Sequence, residues 1–177
     1  ESSSGREMPY EKTQATLYYF AGRGRADQIR WMLAYNDISF AFRVIASRER
    51  FLRLKEYQLP FGQVPLLQID GIELVQTQAI LRYLAKKCDM AGKTKKEEVR
   101  CDMIAESVAE LIGMIAALPF IRQKGDTELE TSHKEQCRKM FKERARVYET
   151  CIARNKGPNP SKPVPSSYIV GDSVSYV

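Results

Sequence analysis

The sequence predicts two globular regions of different class, an α/β domain over residues 13–92 and an all-α domain over residues 98–177. Strand and helix patterns alternate in the first region, whereas only helical periodicity is found in the second. The polar segment DMAGKTKKEE lies at the junction. A chain of 177 residues, 44% of them hydrophobic, is long and apolar enough to bury two small cores.

The predicted elements of the first region form the order βαβ and then αββα, which indicates a small sheet with helices on its faces. The hairpin signal is the Asp70-Gly71 turn between two apolar runs. In order, the elements are a strand at 16–20, a helix at 25–35 with Ala26, Ile29 and Leu33 on one face, a strand at 40–44, a helix at 48–56, a hairpin within QVPLLQIDGIELV, and a helix from Thr77 with Ile80, Leu81 and Leu84 inward.

The second region contains two long amphipathic helices. Apolar residues recur at spacings of three and four in the first, and we expect it to stop near Pro119. The second helix is predicted over residues 128–155 and is followed by the proline-dense loop KGPNPSKPVPSS. Residues 1–12 are polar and aperiodic, and we leave them out of the fold prediction.

The composition argues against several classes of site. The net charge of +6 would suit an anionic partner, but basic and acidic residues are interspersed, which favours a solvated surface over a nucleic-acid interface. The four cysteines lack metal-ligand spacing and His133 is the only histidine, so we expect free thiols, no metal and no histidine-dependent triad. With no 18-residue apolar stretch and no signal-peptide pattern, we expect a soluble cytoplasmic protein without a membrane partner.

Three places in the first region combine polar groups that suit an anionic ligand. At the end of the first strand, Tyr18 and Tyr19 precede Arg23 and Arg25. The arginines either cover a helix end or meet an anion beside a tyrosine hydroxyl. Because side chains alternate along a strand, the two tyrosines are predicted on opposite faces.

The other two places are a proline and a strand-to-helix junction. Pro65 stands within a strand pattern, where it indicates an edge position or a special turn with a cis bond. Gln76 and Thr77 begin a helix, whose free amides and dipole favour an anion. The alternative for Thr77 is that its hydroxyl only caps the helix.

These segments together resemble the cytosolic glutathione S-transferases, most closely the alpha class. The matching pieces are LYYFAGRGRADQIRWML, FGQVPLLQIDGIELVQTQAILRYLA and DMIAESVAELIGMIAALP, and the resemblance extends from about residue 13 to residue 177. LPFGQVP is closer to the related sigma class. The resemblance implies a thioredoxin-like first domain, a helical second domain, and glutathione as co-substrate.

By this resemblance Tyr19 is the catalytic residue, and its hydroxyl hydrogen-bonds the glutathione sulfur and favours the thiolate. Arg25 matches the position of an arginine beside the sulfur, where a positive charge favours the charged form. We expect Tyr18 to pack in the core and Arg23 to be structural.

The resemblance also assigns the remaining contacts. Gln63 and Val64, before a cis-Pro65, match the residues that hold the cysteinyl part of glutathione, and Gln76 and Thr77 match those that bind its γ-glutamyl carboxylate. Lys55 or Arg53 falls where a basic contact to the glycine end is expected. Further matches are Glu110 at the partner subunit's glutathione, Phe61 at a homodimer contact, and an electrophile pocket formed by Phe20, Ala116, Ala117 and Phe120.

The leading interpretation is therefore a transferase that conjugates glutathione to hydrophobic electrophiles. A non-catalytic carrier of apolar ligands with the same fold is the main alternative, an inactive shortened isoform is another, and a basic nucleic-acid adaptor is weaker. Gly171 and Ser175 match a family pattern in which the serine caps a buried helix. We expect that helix to follow Val177 in a longer protein, and we expect a chain without it to be poorly soluble and nearly inactive.

Overall fold

The computed structural model describes residues 14–155 and 168–176. The predicted N-terminal tail and the whole of the proline-dense loop lie outside the described residues. Within these ranges the elements are β1 (Ala15–Tyr19), α1 (Arg25–Tyr35), β2 (Phe40–Val44), α2 (Arg48–Tyr57), β3 (Leu66–Ile69), β4 (Ile72–Val75), α3 (Thr77–Lys87), α4 (Lys95–Gln123) and α5 (Thr127–Arg154).

The four strands form one mixed sheet in the order β2-β1-β3-β4. Strand β1 pairs in parallel with β2 and antiparallel with β3, which pairs antiparallel with β4. Asp70 and Gly71 turn the β3–β4 hairpin with φ angles of 53° and 77°, the left-handed pair that a tight hairpin turn needs. The predicted fold class, a thioredoxin-like domain followed by a helical one, is confirmed.

The chain divides into two compact units, one that ends at Ile80 and one that begins at Leu81. This division falls inside α3, whereas the sequence predicts a boundary in the polar segment after it. In the first unit, the core includes Leu17 of β1 and Ile29 and Leu33 of α1, all fully buried. The predicted inward face of α1 is thus confirmed, and α1 spans the predicted residues.

The prediction that the first long helix stops near Pro119 is wrong. Pro119 lies inside α4, which continues to Gln123. A proline removes one backbone donor and crowds the preceding turn, and a helix of 29 residues retains enough other hydrogen bonds to continue past it. The helix ends instead just before Gly125, whose φ of 74° is the left-handed conformation common after a helix C-terminus.

Both long helices expose large apolar side chains. Ile115 of α4 and Val147 of α5 are each about half exposed. Among the described residues, α4 is also long and apolar enough to cross a membrane, by length and composition alone. A single helix of this kind is weak evidence for a membrane span, and Glu106 and Glu110 interrupt its apolar residues, so we infer no membrane span from it.

Residues 168–176 contain no helix and are held to α4 and to the turn before it. Lys93 pairs with Asp172 at 2.5 Å, and the Tyr176 hydroxyl donates to Asp102. Burial alone would raise the pKa of Asp102, but hydrogen bonds from Tyr176 and Arg82 outweigh it and lower the pKa. Burial raises the pKa of the nearby Cys101 thiol. The predicted role of Ser175 as a helix cap stays a prediction.

Candidate functional site

Three chain segments meet at one end of the sheet. The register pairs Tyr18 with Leu66 and Leu66 with Val75. The residues just beyond these positions, Tyr19, Pro65 and Gln76, therefore lie at the same end of three adjacent strands. The predicted site residues of the first unit are brought to this edge by the topology of the sheet.

The Tyr19 hydroxyl lies at the N-terminus of α1. Its oxygen accepts a hydrogen bond from the backbone N–H of Arg25 at 3.2 Å. A phenol that accepts from an amide keeps its own proton free to donate. The first turn of a helix also carries partial positive charge. This end of α1 therefore offers one hydroxyl donor and a positive field to an anionic atom.

Glycine at position 24 permits this approach of tyrosine and helix. Its φ is 154°, in the range that favours glycine, and a Cβ built there would lie 2.8 Å from the Tyr19 Oη. A Cβ built at Gly22, two residues earlier, would have no atom within 4 Å. The hydroxyl position therefore depends on Gly24 and not on Gly22.

Arg23 and Arg25, which follow β1, are both exposed. Among the described residues, neither Arg23 nor Arg25 forms an ion pair, whereas the nearby Arg30 pairs with Asp27 at 3.3 Å. The charge on Arg25, the residue that also donates to Tyr19, is thus not neutralised by a described carboxylate.

The start of α3 contains an unsatisfied hydroxyl. Thr77 is 7% exposed, and its Oγ1 is buried with no hydrogen-bond partner among the described residues. The alternative that Thr77 caps its own helix is therefore wrong, since a cap requires that bond. The preceding Gln76 has a φ of 70°, a left-handed backbone that non-glycine residues adopt mainly where function or context demands it.

The Gln76 side chain connects this helix end to the loop before β3. Its Nε2 donates to Gln63 Oε1 at 3.3 Å, and both amides are exposed. The Val64–Pro65 bond is cis, which decides between the two readings of that proline. The Gln76–Gln63 hydrogen bond thus places the loop before Pro65 beside the start of α3. That these residues form a single binding site stays a prediction.

Of the two basic candidates on α2, only Lys55 faces this loop. A Cβ built at Gly62 would lie 2.9 Å from the Lys55 Cε. The aliphatic part of the Lys55 side chain therefore packs against Gly62, the residue before Gln63. Arg53 instead pairs with Glu49 on its own helix.

One aromatic residue near Tyr19 is absent from the sequence prediction. The Phe51 ring of α2 lies 5.5 Å from the Phe20 ring, which lies 5.8 Å from Tyr19. Phe20 is 45% exposed, so the three rings present an apolar surface next to the hydroxyl. Phe51 falls on a charged helix with no buried residues, and only its aromatic character marks it in the sequence.

The burial and contacts of the other predicted residues give less support for their predicted roles. Tyr18, expected in the core, is only half-buried, because the face of β1 that carries Ala15 and Leu17 forms the core instead. Phe61 is 65% exposed on the first unit. Glu110 accepts from Arg144 at 2.6 Å in the second unit, where Ala116 and Phe120 are exposed and Ala117 is half-buried.

The four cysteines all belong to the second unit. All four are free, with Cys101 and Cys137 buried and Cys88 and Cys151 half-buried. In residues 14–155 and 168–176, no cluster of three or more histidine, cysteine or carboxylate side chains could hold a metal ion. The chemistry available at the sheet edge is that of a tyrosine hydroxyl, an arginine and a helix N-terminus.

Known proteins resemble this chain in sequence and in fold. A family model described as the N-terminal domain of glutathione S-transferases matches residues 15–86, from β1 nearly to the end of α3. Glutathione S-transferase A4 of Mus musculus is 48% identical over 113 residues, which are 63% of this chain and 51% of that protein. Glutathione S-transferase alpha-4 of Rattus norvegicus is 50% identical over 105 residues, 59% of this chain and 47% of that protein. The chain spans about half the length of the curated relatives it matches.

A solved structure extends the likeness over both units. The monomeric glutathione S-transferase Na-GST-3 of the hookworm Necator americanus has a TM-score of 0.74 and 26% identity to this chain. That match covers 92% of this chain and 75% of the hookworm chain.

Proposed function

Because this chain belongs to the glutathione S-transferase family, with relatives of the alpha class, we propose that it binds glutathione and conjugates its thiolate to hydrophobic electrophiles. The observation that carries this proposal is the buried Thr77 hydroxyl without a partner at the start of α3. A buried hydroxyl that lacks a hydrogen bond is costly, so a ligand that supplies one is favoured there. The γ-glutamyl carboxylate of glutathione has the right charge for a helix N-terminus and the right atoms for that hydroxyl.

The rest of the tripeptide follows along the sheet edge. We assign the cysteinyl part to Gln63 and Val64 at Pro65, and the carboxylate to Gln76 together with Thr77. The Gln63–Gln76 hydrogen bond supports this assignment, because it joins the two contact points. Lys55 would meet the glycine carboxylate, and its position over Gly62 favours it over the ion-paired Arg53.

Tyr19 then acts on the sulfur. Its oxygen already accepts from the Arg25 amide, so its proton is free to donate to a thiolate. The Arg25 charge and the α1 N-terminus favour the ionised sulfur over the thiol. The thiol proton is released to solvent, and the thiolate's electron pair forms the new carbon–sulfur bond. The electrophile then loses its leaving group with the electron pair of the broken bond or, in an addition, takes up a proton from solvent, and the tyrosine is not consumed.

The structure gives less direct support for the proposed electrophile pocket and for the proposed homodimer contacts. We propose that Phe20 and Phe51 line the electrophile side of Tyr19, and that Ala116, Ala117 and Phe120 contribute from the helical region. Homodimer formation through the exposed Phe61, with Glu110 at the partner subunit's glutathione, is also a proposal. One related structure is described as monomeric, so the oligomeric state needs its own measurement.

Binding and turnover should be tested separately on the full chain. Calorimetry would measure the glutathione affinity, and a generic aromatic electrophile would report conjugation. Binding with turnover supports a transferase. Binding without turnover would favour the carrier or the inactive shortened isoform, and absence of glutathione binding would contradict the proposed site.

Replacement of Gly24 by alanine should slow conjugation several-fold. The added Cβ would collide with the Tyr19 hydroxyl and force it away from its present position, and misplacement of a catalytic group reduces rate steeply. Glutathione affinity should change less, because the carboxylate end is untouched. Gly22→Ala is the matched control, and an equal effect of the two substitutions would contradict the role of the Gly24 contact.

Arg25→Gln should raise the pKa of the bound thiol and lower the rate about tenfold near neutral pH, the effect of roughly one pKa unit on the thiolate fraction. The measurement is the pH profile of the conjugation rate. Arg23→Gln removes the same charge two residues earlier and should leave the profile in place. A shift caused by Arg23→Gln alone would reassign the role to that residue.

A further inference from the structure

A carboxylate in the first turn of α1 holds the glycine that lies against the Tyr19 hydroxyl. The Asp27 Oδ2 accepts a hydrogen bond from the Gly24 N–H at 3.4 Å, and the Asp27 N–H donates to the Gly24 carbonyl at 3.0 Å. These reciprocal bonds close the turn at the helix N-terminus, as in a capping box. Gly24 has no side chain that could cap the helix, so the closure of this turn depends on Asp27.

The conformation of this turn determines what the Tyr19 hydroxyl contacts. A Cβ built at Gly24 would lie 2.8 Å from the Tyr19 Oη, and the next residue, Arg25, donates its N–H to the same oxygen at 3.2 Å. Both contacts are made by the backbone of residues 24 and 25, beside the bonds to Asp27. A change in the Asp27 side chain should therefore displace this backbone from the hydroxyl without altering the tyrosine itself.

Asp27 is in turn connected to the sheet through Arg30. The Asp27 Oδ1 accepts from Arg30 Nη1 at 3.3 Å, and the Arg30 guanidinium lies over the Phe42 ring of β2, 5.0 Å from its centre. The Tyr19 backbone is bound to the same part of the chain, because its carbonyl accepts from the N–H of Ile45, just after β2, at 2.8 Å. The β2 segment thus holds the Tyr19 backbone and, through Arg30 and Asp27, the turn at its hydroxyl.

The Asp27–Arg30 ion pair also limits the electrostatic cost of a carboxylate at this position. An unpaired negative charge in the first turn of α1 would disfavour a thiolate beside Tyr19. Arg30 supplies the opposite charge, so the pair has no net charge. Asp27 can therefore close the turn while the positive field of the helix N-terminus remains available to the sulfur.

We propose that Asp27 is a positioning residue of the transferase reaction, which fixes the Gly24 turn and thereby the place where the Tyr19 hydroxyl meets the sulfur. The inference rests on the proposed function for the role of Tyr19. Asp27 acts through the turn and not by contact with the sulfur. The property required at position 27 is a hydrogen-bond acceptor, and the negative charge itself is dispensable.

Amide hydrogen exchange, measured by NMR on the full chain without glutathione, tests the positioning directly. Asp27→Ala removes the acceptor and should speed exchange of the Arg25 amide several-fold, toward the rate in Tyr19→Phe, which lacks the partner of that amide. Asp27→Asn retains a side-chain oxygen that accepts, so exchange should stay within about twofold of the unaltered chain. Gln28→Ala, one residue later in α1, is the matched control and should leave the exchange unchanged.

Conjugation kinetics test the consequence for the reaction. Asp27→Ala should lower kcat about tenfold, because a displaced catalytic group reacts more slowly, and glutathione affinity should change little. Asp27→Asn should restore most of the rate. In a Tyr19→Phe background, Asp27→Ala should cause no further loss, since the hydroxyl that it positions is absent.

The two measurements separate the inference from the proposed function. If the unaltered chain does not conjugate glutathione but Asp27→Ala speeds exchange of the Arg25 amide, the proposed function is wrong and the placement of the hydroxyl by Asp27 is supported. Unchanged Arg25 exchange in Asp27→Ala would overturn the inference. Equal losses of rate in Asp27→Ala and Asp27→Asn, or an equal loss with and without the Tyr19 hydroxyl, would also overturn it.

Discussion

Replacement of Tyr19 by phenylalanine should lower the conjugation rate about 100-fold, the usual effect of removing one preorganised donor to developing or bound negative charge. The substitution keeps the ring next to Phe20 and removes only the hydroxyl, which already accepts from the Arg25 amide. Glutathione affinity should change little, because the tripeptide keeps its contacts at α3. The measurement is the turnover number together with the calorimetric dissociation constant for glutathione.

Tyr18→Phe is the matched control for this experiment. Tyr18 precedes Tyr19 on the opposite face of β1, so removal of its hydroxyl should leave the rate within a few-fold of the unaltered chain. A full rate in Tyr19→Phe would remove this hydroxyl from the mechanism. A large loss in Tyr18→Phe would reassign the role to the neighbouring tyrosine.

Thr77→Val should weaken glutathione binding by about tenfold or more, because a hydrogen bond to a charged group contributes roughly 1.5–3 kcal/mol. The same substitution should leave the free chain as stable or more stable, since valine removes a buried hydroxyl that has no partner. Affinity and stability are thus expected to move in opposite directions. Calorimetry measures the first quantity, and denaturant unfolding measures the second.

A serine at the same position separates the hydroxyl from the methyl group. Thr77→Ser should retain most of the glutathione affinity that Thr77→Val loses. With a glutathione analogue that lacks the γ-glutamyl carboxylate, the unaltered chain and Thr77→Val should bind equally weakly. If valine and serine have the same effect on glutathione binding, the hydroxyl does not contact the ligand.

Local patterns were sufficient to predict most of the fold. Ala26, Ile29 and Leu33 recur at helical spacing, and all three are buried in α1. Asp70-Gly71 predicts the hairpin turn because few other residue pairs adopt two left-handed conformations in succession. In both cases the signal lies within a few residues of the structure it determines.

Sequence prediction fails where two local signals compete. Pro119 and Gly125 are both helix breakers, and the sequence alone does not show that α4 continues through the first and ends before the second. Alternation with Tyr19 predicts a buried Tyr18, but the sheet buries the face that carries Leu17. Burial depends on what packs against each face, which a strand pattern alone does not specify.

Parts of the candidate site also depend on distant neighbours. The sequence left Thr77 with two roles, and only the three-dimensional surroundings show that its hydroxyl has no bond to its own helix. Likewise, Phe51 approaches Phe20 through the packing of α2 on the sheet end, across 31 residues of sequence. Lys55 and Arg53 are equivalent by composition and differ only in what each side chain contacts.

The most direct test of the proposed function is a titration of glutathione bound to the unaltered full chain, monitored by thiolate absorbance against pH. The proposed site predicts that the thiol of bound glutathione ionises at a pH well below that of free glutathione, because Tyr19, Arg25 and the start of α1 all favour the thiolate. A bound thiol that ionises at the same pH as free glutathione would contradict the proposed mechanism.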